Sequence, residues 1–214
     1  MTKEEVLQIL NNVGAVITDS HIVYTSWRHG TAYIDKDMVY PHTREIAQLC
    51  HAIALEFYQS GVEAVVGPEK GAIILSQWTA HSLCDRTSRN VLSFYAEKAE
   101  GDTFVIKRGG AAKFLPGKNV LVVEDVLTTG GSAKKVIEVV RAMGGNVVGL
   151  GVLCNRGGVT PEDVANPPKL FALVNMNLGS WDEEECARVG PCSKNVPINT
   201  EVGEGREYLA RKGK

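Results

Sequence analysis

The sequence carries little net charge and has no long hydrophobic run. Its formal net charge at pH 7 is −2, so it lacks the basic surface that non-specific binding to nucleic acid requires. No apolar run approaches the ~20 residues with which a helix crosses a bilayer. The N-terminal residues MTKEEVLQIL are polar and acidic early and do not contain the apolar core of a signal peptide. We therefore expect a cytoplasmic protein that binds neither nucleic acid nor membrane.

Cysteine is scarce, and its pattern does not match a disulfide framework. The count of 5 is odd, and without a secretory signal it favours a reducing compartment. Cys50, Cys84 and Cys154 lie in apolar or helical contexts and are expected to be buried as small hydrophobic residues. Cys186 and Cys192 lack the two-residue spacing of common zinc pairs, and the sequence shows no second pair that completes four ligands. No directly bound metal is predicted, and the role of these two cysteines is left open.

Hydrophobic residues suffice for one sizeable core. The chain has 214 residues, of which 44% are hydrophobic, as in a single globular domain. Strands are predicted at 64–66, 91–96, 120–123, 147–153 and 170–174, and helices at 43–59, 72–83 and 132–143. Because most of these strands are continuously apolar, they predict an α/β fold whose mostly parallel central sheet is flanked by helices on both faces.

The two ends of the chain show weaker patterns. A helix is predicted from Thr2, which forms a capping box with Glu5. Short strands are predicted around 21–25 and 31–34, and a hairpin around 104–107. From Trp181 onward the periodicity is lost. Residues 182–185 and 204–214 are therefore expected to be solvated or weakly ordered.

One segment combines acidic residues with a glycine-rich turn. The segment VVEDVLTTGGS, at 122–132, places Glu124 and Asp125 at the end of an apolar strand and before a helix. The glycines allow a tight turn that presents backbone N–H groups, and the helix adds the positive end of its dipole, so the turn suits a phosphate. The acids cannot bind that phosphate, but they can accept hydrogen bonds from neighbouring hydroxyls. Together these features predict a site for a sugar phosphate.

Two other nucleotide-binding motifs do not fit this segment. A P-loop ends in Gly-Lys-Ser/Thr, whereas Ser132 follows Gly131 directly. A dinucleotide fingerprint needs three spaced glycines in a strand-to-helix turn. The nearest candidate pair, Gly149 and Gly151, lies inside a predicted strand.

The segment 122–132 resembles the motif with which type I phosphoribosyltransferases bind 5-phosphoribosyl 1-diphosphate (PRPP). A second loop, GPEKG at 67–71, is similar to the pyrophosphate-binding loop of that family. In this loop Lys70 supplies positive charge, and Gly71 lets the backbone approach an anion closely.

The resemblance implies the type I phosphoribosyltransferase fold as a single domain over residues 1–214. It implies a core at roughly 43–153, and a small N-terminal hood at 13–40 completed by parts of 154–200. Within the family, the chain is similar to orotate phosphoribosyltransferases, which transfer the 5-phosphoribosyl group of PRPP to orotate and release pyrophosphate. The segments that carry this similarity are VYTSWRHGTAYIDK at 23–36, YAEK at 95–98, CNRGG at 154–158 and VPINT at 196–200.

The resemblance also implies roles for individual residues. The implied catalytic residues are Asp125, Glu124 and Lys98. The implied 5-phosphate contacts are Val126, Leu127, Thr128, Thr129, Gly130, Gly131 and Ser132. The implied pyrophosphate contacts are Glu69, Lys70, Gly71 and Lys98. The implied base contacts are Arg156, Arg28, Tyr33 and Thr128.

Further expectations come from the same resemblance. Magnesium (Mg2+) is expected to bind through PRPP, without a direct protein ligand. Residues 99–110 are expected to form a mobile lid, from which Lys107 or Arg108 would also balance the pyrophosphate. A homodimer is the common assembly of such proteins.

The sequence departs from the family in the parts that resemble its base site. Trp27 follows Ser26 where better-known members have glycine, and Asn155 stands where an aspartate is usual. Three alternatives are therefore left open. They are a phosphoribosyltransferase for another base such as a purine, a non-catalytic PRPP-sensing regulator that binds nucleic acid, and a hydrolase or inactive relative.

Overall fold

The computed structural model describes residues 1–176 and 179–213. Its helices are α1 (Lys3–Asn12), α2 (Thr43–Phe57), α3 (Ala72–Thr87), α4 (Ala111–Phe114), α5 (Gly131–Ala142), α6 (Glu183–Val189) and α7 (Gly205–Lys212). Its strands are β1 (Val16–Ile17), β2 (Ile22–Val23), β3 (His29–Gly30), β4 (Tyr33–Ile34), β5 (Ala64–Pro68), β6 (Leu92–Ala99), β7 (Thr103–Val105), β8 (Asn119–Leu127), β9 (Asn146–Asn155), β10 (Leu170–Asn175) and β11 (Ser180–Trp181). Over these residues, every helix is too short or too polar to cross a membrane.

The central sheet confirms the predicted α/β architecture. Within the described part of the chain, six strands lie in the order β10-β9-β8-β5-β6-β7. All neighbours are parallel except β7, which forms an antiparallel hairpin with β6 at Thr103–Val105, close to the hairpin predicted around 104–107. From β5 the chain continues to β6 on one side and then to β8 on the other. The loops that follow β5 and β8 therefore diverge and leave a crevice between them.

Two hydrophobic clusters, one on each face of the sheet, explain the continuously apolar strands. Val65 of β5 packs with α1, α2 and α3 on one face. Its neighbours Ala64 and Val66 pack with α5 on the other face. Successive residues of a strand point to opposite faces, so a strand covered on both sides must be apolar at every position.

The ends of the predicted elements shift by a few residues in the structure. The capping box at Thr2 and Glu5 is confirmed. Strand β8 was predicted to end at residue 123, but its pairing with β9 continues to Leu127. Glu124 and Asp125 therefore lie inside the strand. The apolar pattern ends before them, but the hydrogen bonds between the parallel strands continue through polar residues where the sheet borders the crevice.

The segments expected to be solvated or weakly ordered, 182–185 and 204–214, are mostly exposed over the described residues, but they form helices instead of disordered chain. The acidic run at 182–185 starts helix α6, where Asp182 is the N-cap and forms a capping box with Glu185. Acidic side chains are stabilised at that end by the helix dipole. Residues 205–212 form α7, and β11 pairs with β3 of the hood (residues 13–40). These C-terminal strands and helices are too short to show a hydrophobic period in the sequence. Their structure is therefore determined by their pairing partners at the other end of the chain.

Candidate functional site

The crevice beyond β5 and β8 encloses a cavity of about 280 Å³. It is lined by residues 68–71, residues 124–132, Lys36 and Lys98. The structure thus brings together the two loops that the sequence singled out, although they are separated by more than fifty positions. All the predicted 5-phosphate, pyrophosphate and catalytic residues line this cavity.

The turn between β8 and α5 has the geometry of an anion site. Gly130 has a φ of +78°, and a Cβ at this position would lie 2.5 Å from Val164 Cγ1. Glycine is therefore required for both conformation and space. Helix α5 begins at Gly131, so its positive end borders the cavity. Thr129 and Ser132 are exposed beside it, where their hydroxyls can donate to an anion.

The loop at 67–71 lies directly against the acidic pair. A Cβ on Gly71 would lie 1.7 Å from Asp125 Oδ2, so only glycine allows this approach. Glu69 Oε1 accepts a hydrogen bond of 2.7 Å from the backbone N–H of Lys98. Through this bond Glu69 fixes the loop to β6 and brings Lys98 to the cavity. Lys70 is exposed at the mouth.

Asp125 is the centre of a buried hydrogen-bond network. The residue is only 6% exposed, and Oδ1 accepts a 2.6 Å hydrogen bond from the backbone N–H of Val126. Oδ2 accepts a 3.1 Å hydrogen bond from Tyr40 Oη and lies 3.2 Å from Lys36 Nζ. Burial is the largest single influence and opposes the charge of Lys36, but the attraction and hydrogen bonds of Asp125 and Asp37 together outweigh it and raise the pKa of the lysine. These contacts fix the carboxylate and balance its charge.

Glu124 differs from Asp125 because no basic side chain touches it in the described residues. Its Oε1 accepts a 3.1 Å hydrogen bond from the backbone N–H of Asp125. Burial, followed by repulsion from Asp125, raises the pKa of Glu124 well above that of a free carboxyl, while Lys36 lowers it slightly. The folded protein therefore favours the protonated form of Glu124.

Protonation of Glu124 makes stability depend on pH. The folded state holds this proton to higher pH than the unfolded state, whose carboxyl titrates near 4.5, so stability falls as pH rises above that value. Glu124→Gln mimics the protonated form. The difference in Tm between the ligand-free variant and wild type is expected to become more positive from pH 4.5 to pH 8, by about 2–4 °C for each kcal/mol. Thermal unfolding measured across this range tests it, with exposed Glu138→Gln on α5 as the control. A difference that does not change with pH would contradict the raised pKa.

Arg156 lies beside the turn between β8 and α5 and faces two tyrosines. Its Nε donates a 2.9 Å hydrogen bond to Thr128 Oγ1. Its guanidinium carbon lies 5.2 Å from the ring centre of Tyr24 and 5.6 Å from that of Tyr33, within the range of cation–π attraction. The predicted base contacts Arg156, Tyr33 and Thr128 are thus adjacent.

The loop that carries Arg156 is fixed by Asn155. Its side-chain amide donates to the backbone oxygen of Val159 at 2.8 Å and accepts from the backbone N–H of the same residue at 3.0 Å. An ionised aspartate could accept the second bond but could not donate the first. The asparagine that departs from the family pattern therefore has a structural role in this chain.

Three predicted basic contacts lie elsewhere. Arg28 donates to Ser180 Oγ at 2.9 Å and to the Ser180 backbone oxygen at 2.7 Å, so it joins the hood to β11 instead of lining the cavity. The sequence did not show this because Ser180 is 152 positions away. Arg108 lies 3.0 Å from Glu97, and among the residues described around the crevice neither it nor Lys107 lines the cavity. A lid at 99–110 stays a prediction.

Sequence reasoning missed three residues of the site. Lys36 and Tyr40 reach Asp125 from the end of the hood, and Tyr24 stacks near Arg156. A weak signal existed, because Tyr24 and Lys36 both belong to the segment 23–36. Gly30 of the same segment gives Tyr24 room, since a Cβ there would lie 2.2 Å from Tyr24 Oη.

The close approach of Gly71 gives a prediction. Gly71→Ala is expected to displace the loop from Asp125 and raise the KM for an anionic substrate at the cavity at least about tenfold, since roughly one charge-assisted hydrogen bond is lost. The matched control is Gly179→Ala, because a Cβ at Gly179 meets no atom of the described residues within 4 Å. Steady-state kinetics and a thermal melt of both variants test this, and an unchanged KM for Gly71→Ala would contradict the required contact.

Comparisons with known proteins show the family to which the chain belongs. The model of the phosphoribosyl transferase domain matches residues 35–185. The orotate phosphoribosyltransferase of Desulforamulus reducens is 34% identical over 203 residues, covering 92% of this chain and 95% of that protein. The crystal structure of orotate phosphoribosyltransferase from Aeropyrum pernix has a TM-score of 0.62 and 27% identity, covering 79% of this chain and 93% of that one. A Mycobacterium tuberculosis orotate phosphoribosyltransferase, solved in complex with PRPP, shares the fold with a TM-score of 0.59 at 20% identity, covering 82% and 91%. The chain belongs to the phosphoribosyltransferase family, among the orotate phosphoribosyltransferases.

Proposed function

We propose that this enzyme transfers the 5-phosphoribosyl group of PRPP to orotate, giving orotidine 5′-monophosphate and pyrophosphate. One observation carries the proposal. The crevice places an anion-binding turn, a buried acidic pair and a second glycine loop around one cavity, and Arg156 borders the turn through Thr128. Phosphate, ribose hydroxyls, pyrophosphate and a carboxylated base each have a chemically matched partner there.

The two loops divide the anionic parts of PRPP between them. Residues 126–132 would hold the 5-phosphate with backbone N–H groups, hydroxyls and the dipole of α5. Residues 69–71 would hold the pyrophosphate, with Lys70 and Lys98 offsetting its charge. Lys36 lines the same cavity and adds a third positive charge beside the leaving group.

The acidic pair would act on the ribose. As the bond from C1 to pyrophosphate breaks, the ribose gains positive charge, which a fixed carboxylate nearby stabilises. Asp125, paired with Lys36, supplies that charge. Glu124, whose pKa burial raises, can hydrogen-bond the ribose hydroxyls in either protonation state.

Magnesium is proposed to reach the site on PRPP. Both oxygens of Asp125 already take part in contacts with Val126, Tyr40 and Lys36, which leaves little capacity for a direct ligand bond. The ion would therefore bind through PRPP, without a direct ligand bond from these residues. When bound, the ion neutralises charge on the leaving group.

The base would bind between the hood and the loop at 154–158. A carboxylate such as that of orotate matches the planar fork of an arginine guanidinium, and Tyr24 and Tyr33 offer flat faces beside Arg156. Uracil lacks this carboxylate. It is therefore expected to react at least about tenfold more slowly, the value of one charge-assisted hydrogen bond.

The test follows pyrophosphate release from PRPP and magnesium with orotate or with uracil. Release with orotate and little with uracil supports the proposal. Equal release with orotate and with uracil would contradict the proposed role of Arg156 in binding the carboxylate. Release in a reaction without any base would indicate a hydrolase. PRPP binding without turnover would indicate the regulatory alternative.

We further propose a cytoplasmic homodimer. The five cysteines are free, as in a reducing compartment, and a dimer is the common assembly implied by the family resemblance. Light scattering of the purified enzyme measures the mass, and a monomer at all concentrations would contradict the proposed assembly.

A further inference from the structure

Four metal-ligating side chains meet outside the crevice, where the hood contacts the C-terminal segment (residues 180–213). His21 and His29 come from the hood, and Cys186 and Cys192 come from α6 and the 3-10 helix Pro191–Lys194. One candidate ligand atom from each side chain lies within 4.8 Å of the others. The two histidines and Cys186 are buried, and Cys192 is partly buried.

The distances approach those of a tetrahedral metal site. With bonds of ~2.3 Å to sulfur and ~2.0–2.1 Å to nitrogen, zinc ligands lie roughly 3.3–3.8 Å from one another. Cys192 Sγ lies 3.6 Å from His21 Nε2 and 3.6 Å from His29 Nδ1, and Cys186 Sγ lies 3.9 Å from His21 Nε2. The two ring nitrogens are 2.7 Å apart and need to separate by only about 0.6 Å to reach this geometry.

The hydrogen bonds around the cluster direct lone pairs into it. His21 Nδ1 lies 2.8 Å from the backbone oxygen of Val196. Because a carbonyl oxygen only accepts, Nδ1 carries the hydrogen and Nε2 presents a lone pair to the cluster. A metal-bound histidine is oriented in this way by a carbonyl on its other nitrogen. Cys186 Sγ accepts a 3.2 Å hydrogen bond from the backbone N–H of Cys192, a contact that stabilises a thiolate.

The local backbone is shaped to place the two sulfurs together. Gly190 lies at the turn between Cys186 and Cys192, and a Cβ there would lie 2.9 Å from Cys186 Cα and 3.0 Å from Cys186 Sγ. Glycine thus allows the chain to fold back over the first cysteine. The other ring nitrogen of His29, Nε2, is buried without a hydrogen-bond partner in the described residues. His29 Nδ1 faces the cluster and donates a 2.7 Å hydrogen bond to His21 Nε2, so zinc binding would move this hydrogen to Nε2 of His29.

We propose that His21, His29, Cys186 and Cys192 bind one zinc ion in a closed, structural Cys2His2 site. Four protein ligands leave no open position for a substrate, and zinc is the ion that two sulfurs and two nitrogens in a tetrahedron favour. Binding converts two thiols to thiolates and releases two protons. The ion would join the ends of the chain, because His29 pairs with Trp181 and His21 bridges to Ile198. The proposal does not depend on the catalytic assignment.

The first test is the metal content of the full-length enzyme, purified in reducing buffer without chelator, supplied with zinc and desalted. Mass spectrometry of the metals is expected to find about one zinc per chain in wild type. Cys192→Ser is expected to hold less than about a tenth of that. Cys84→Ser, at a half-buried cysteine far from the cluster, is the matched control and should keep its zinc. Absence of zinc from wild type, or equal zinc in Cys192→Ser, would overturn the site.

A second test uses wild type alone, so it does not depend on the folding of a variant. Replacement of zinc by Co2+ is expected to give the visible bands of tetrahedral cobalt together with a thiolate-to-cobalt charge-transfer band in the near ultraviolet. A spectrum without the thiolate band would overturn the assignment. A disulfide between Cys186 and Cys192 in enzyme purified in reducing buffer would also overturn it. Chelation of the ion is also expected to lower the Tm of wild type, and an unchanged Tm would contradict a structural role of the ion.

Discussion

Asp125→Asn is expected to lower kcat by about 10²–10³ while the KM for orotate changes little. The variant keeps the shape of the side chain but removes the charge that opposes the developing cation of the ribose. It also removes the partner of Lys36, which lies 3.2 Å away. Because the charge acts mainly when the bond to pyrophosphate breaks, the effect belongs to kcat. Steady-state kinetics with orotate and PRPP varied separately give the two constants.

The matched control for this prediction is Asp85→Asn. Asp85 is exposed on α3 and pairs with His81, so the same loss of charge occurs away from the crevice. Calorimetric titration with PRPP shows whether the Asp125 variant still folds and binds. A kcat within about threefold of wild type would contradict the electrostatic role of Asp125.

Arg156→Lys is expected to raise the KM for orotate by about 10–100-fold, since a hydrogen bond to a charged group contributes about 1.5–3 kcal/mol. Lysine keeps the positive charge but loses the planar fork and the hydrogen bond from Nε to Thr128. It also stacks less well beside Tyr24 and Tyr33. The KM for PRPP is expected to change by less than about threefold, because most of the PRPP site lies in other loops.

Arg89→Lys, at an exposed arginine after α3, is the control for Arg156. A second measurement compares orotate with uracil. If Arg156 pairs with the carboxylate, the preference for orotate should shrink in Arg156→Lys and persist in Arg89→Lys. An unchanged preference would place the carboxylate elsewhere.

The local parts of the structure were predictable from the sequence. The apolar strands and amphipathic helices from residue 64 onward indicated a parallel sheet. Each of these elements shows a hydrophobic pattern that depends only on residues close together in the sequence. The glycine turn between β8 and α5 was also predictable, because Gly130 and Gly131 are adjacent in sequence and begin α5. The loop at 67–71 was expected near this turn, because both follow strands of one sheet.

Contacts between the two ends of the chain were not predictable in the same way. Arg28 was expected at the base but binds Ser180. The role of Cys186 was left open, because His21 and His29, which meet it in the structure, are about 160 positions away. Short elements such as β3 and β11 have two residues each, too few to show a period. Their structure depends on a partner that only the folded chain brings near.

The most direct test of the central claim is a competition experiment with wild type. The enzyme is incubated with PRPP, magnesium and an equimolar mixture of orotate, uracil, adenine and hypoxanthine, and the nucleotides formed are separated and identified. Orotidine 5′-monophosphate is expected to be the main product, formed together with an equal amount of pyrophosphate. A purine nucleotide as the main product, or no nucleotide at all, would contradict the proposed function.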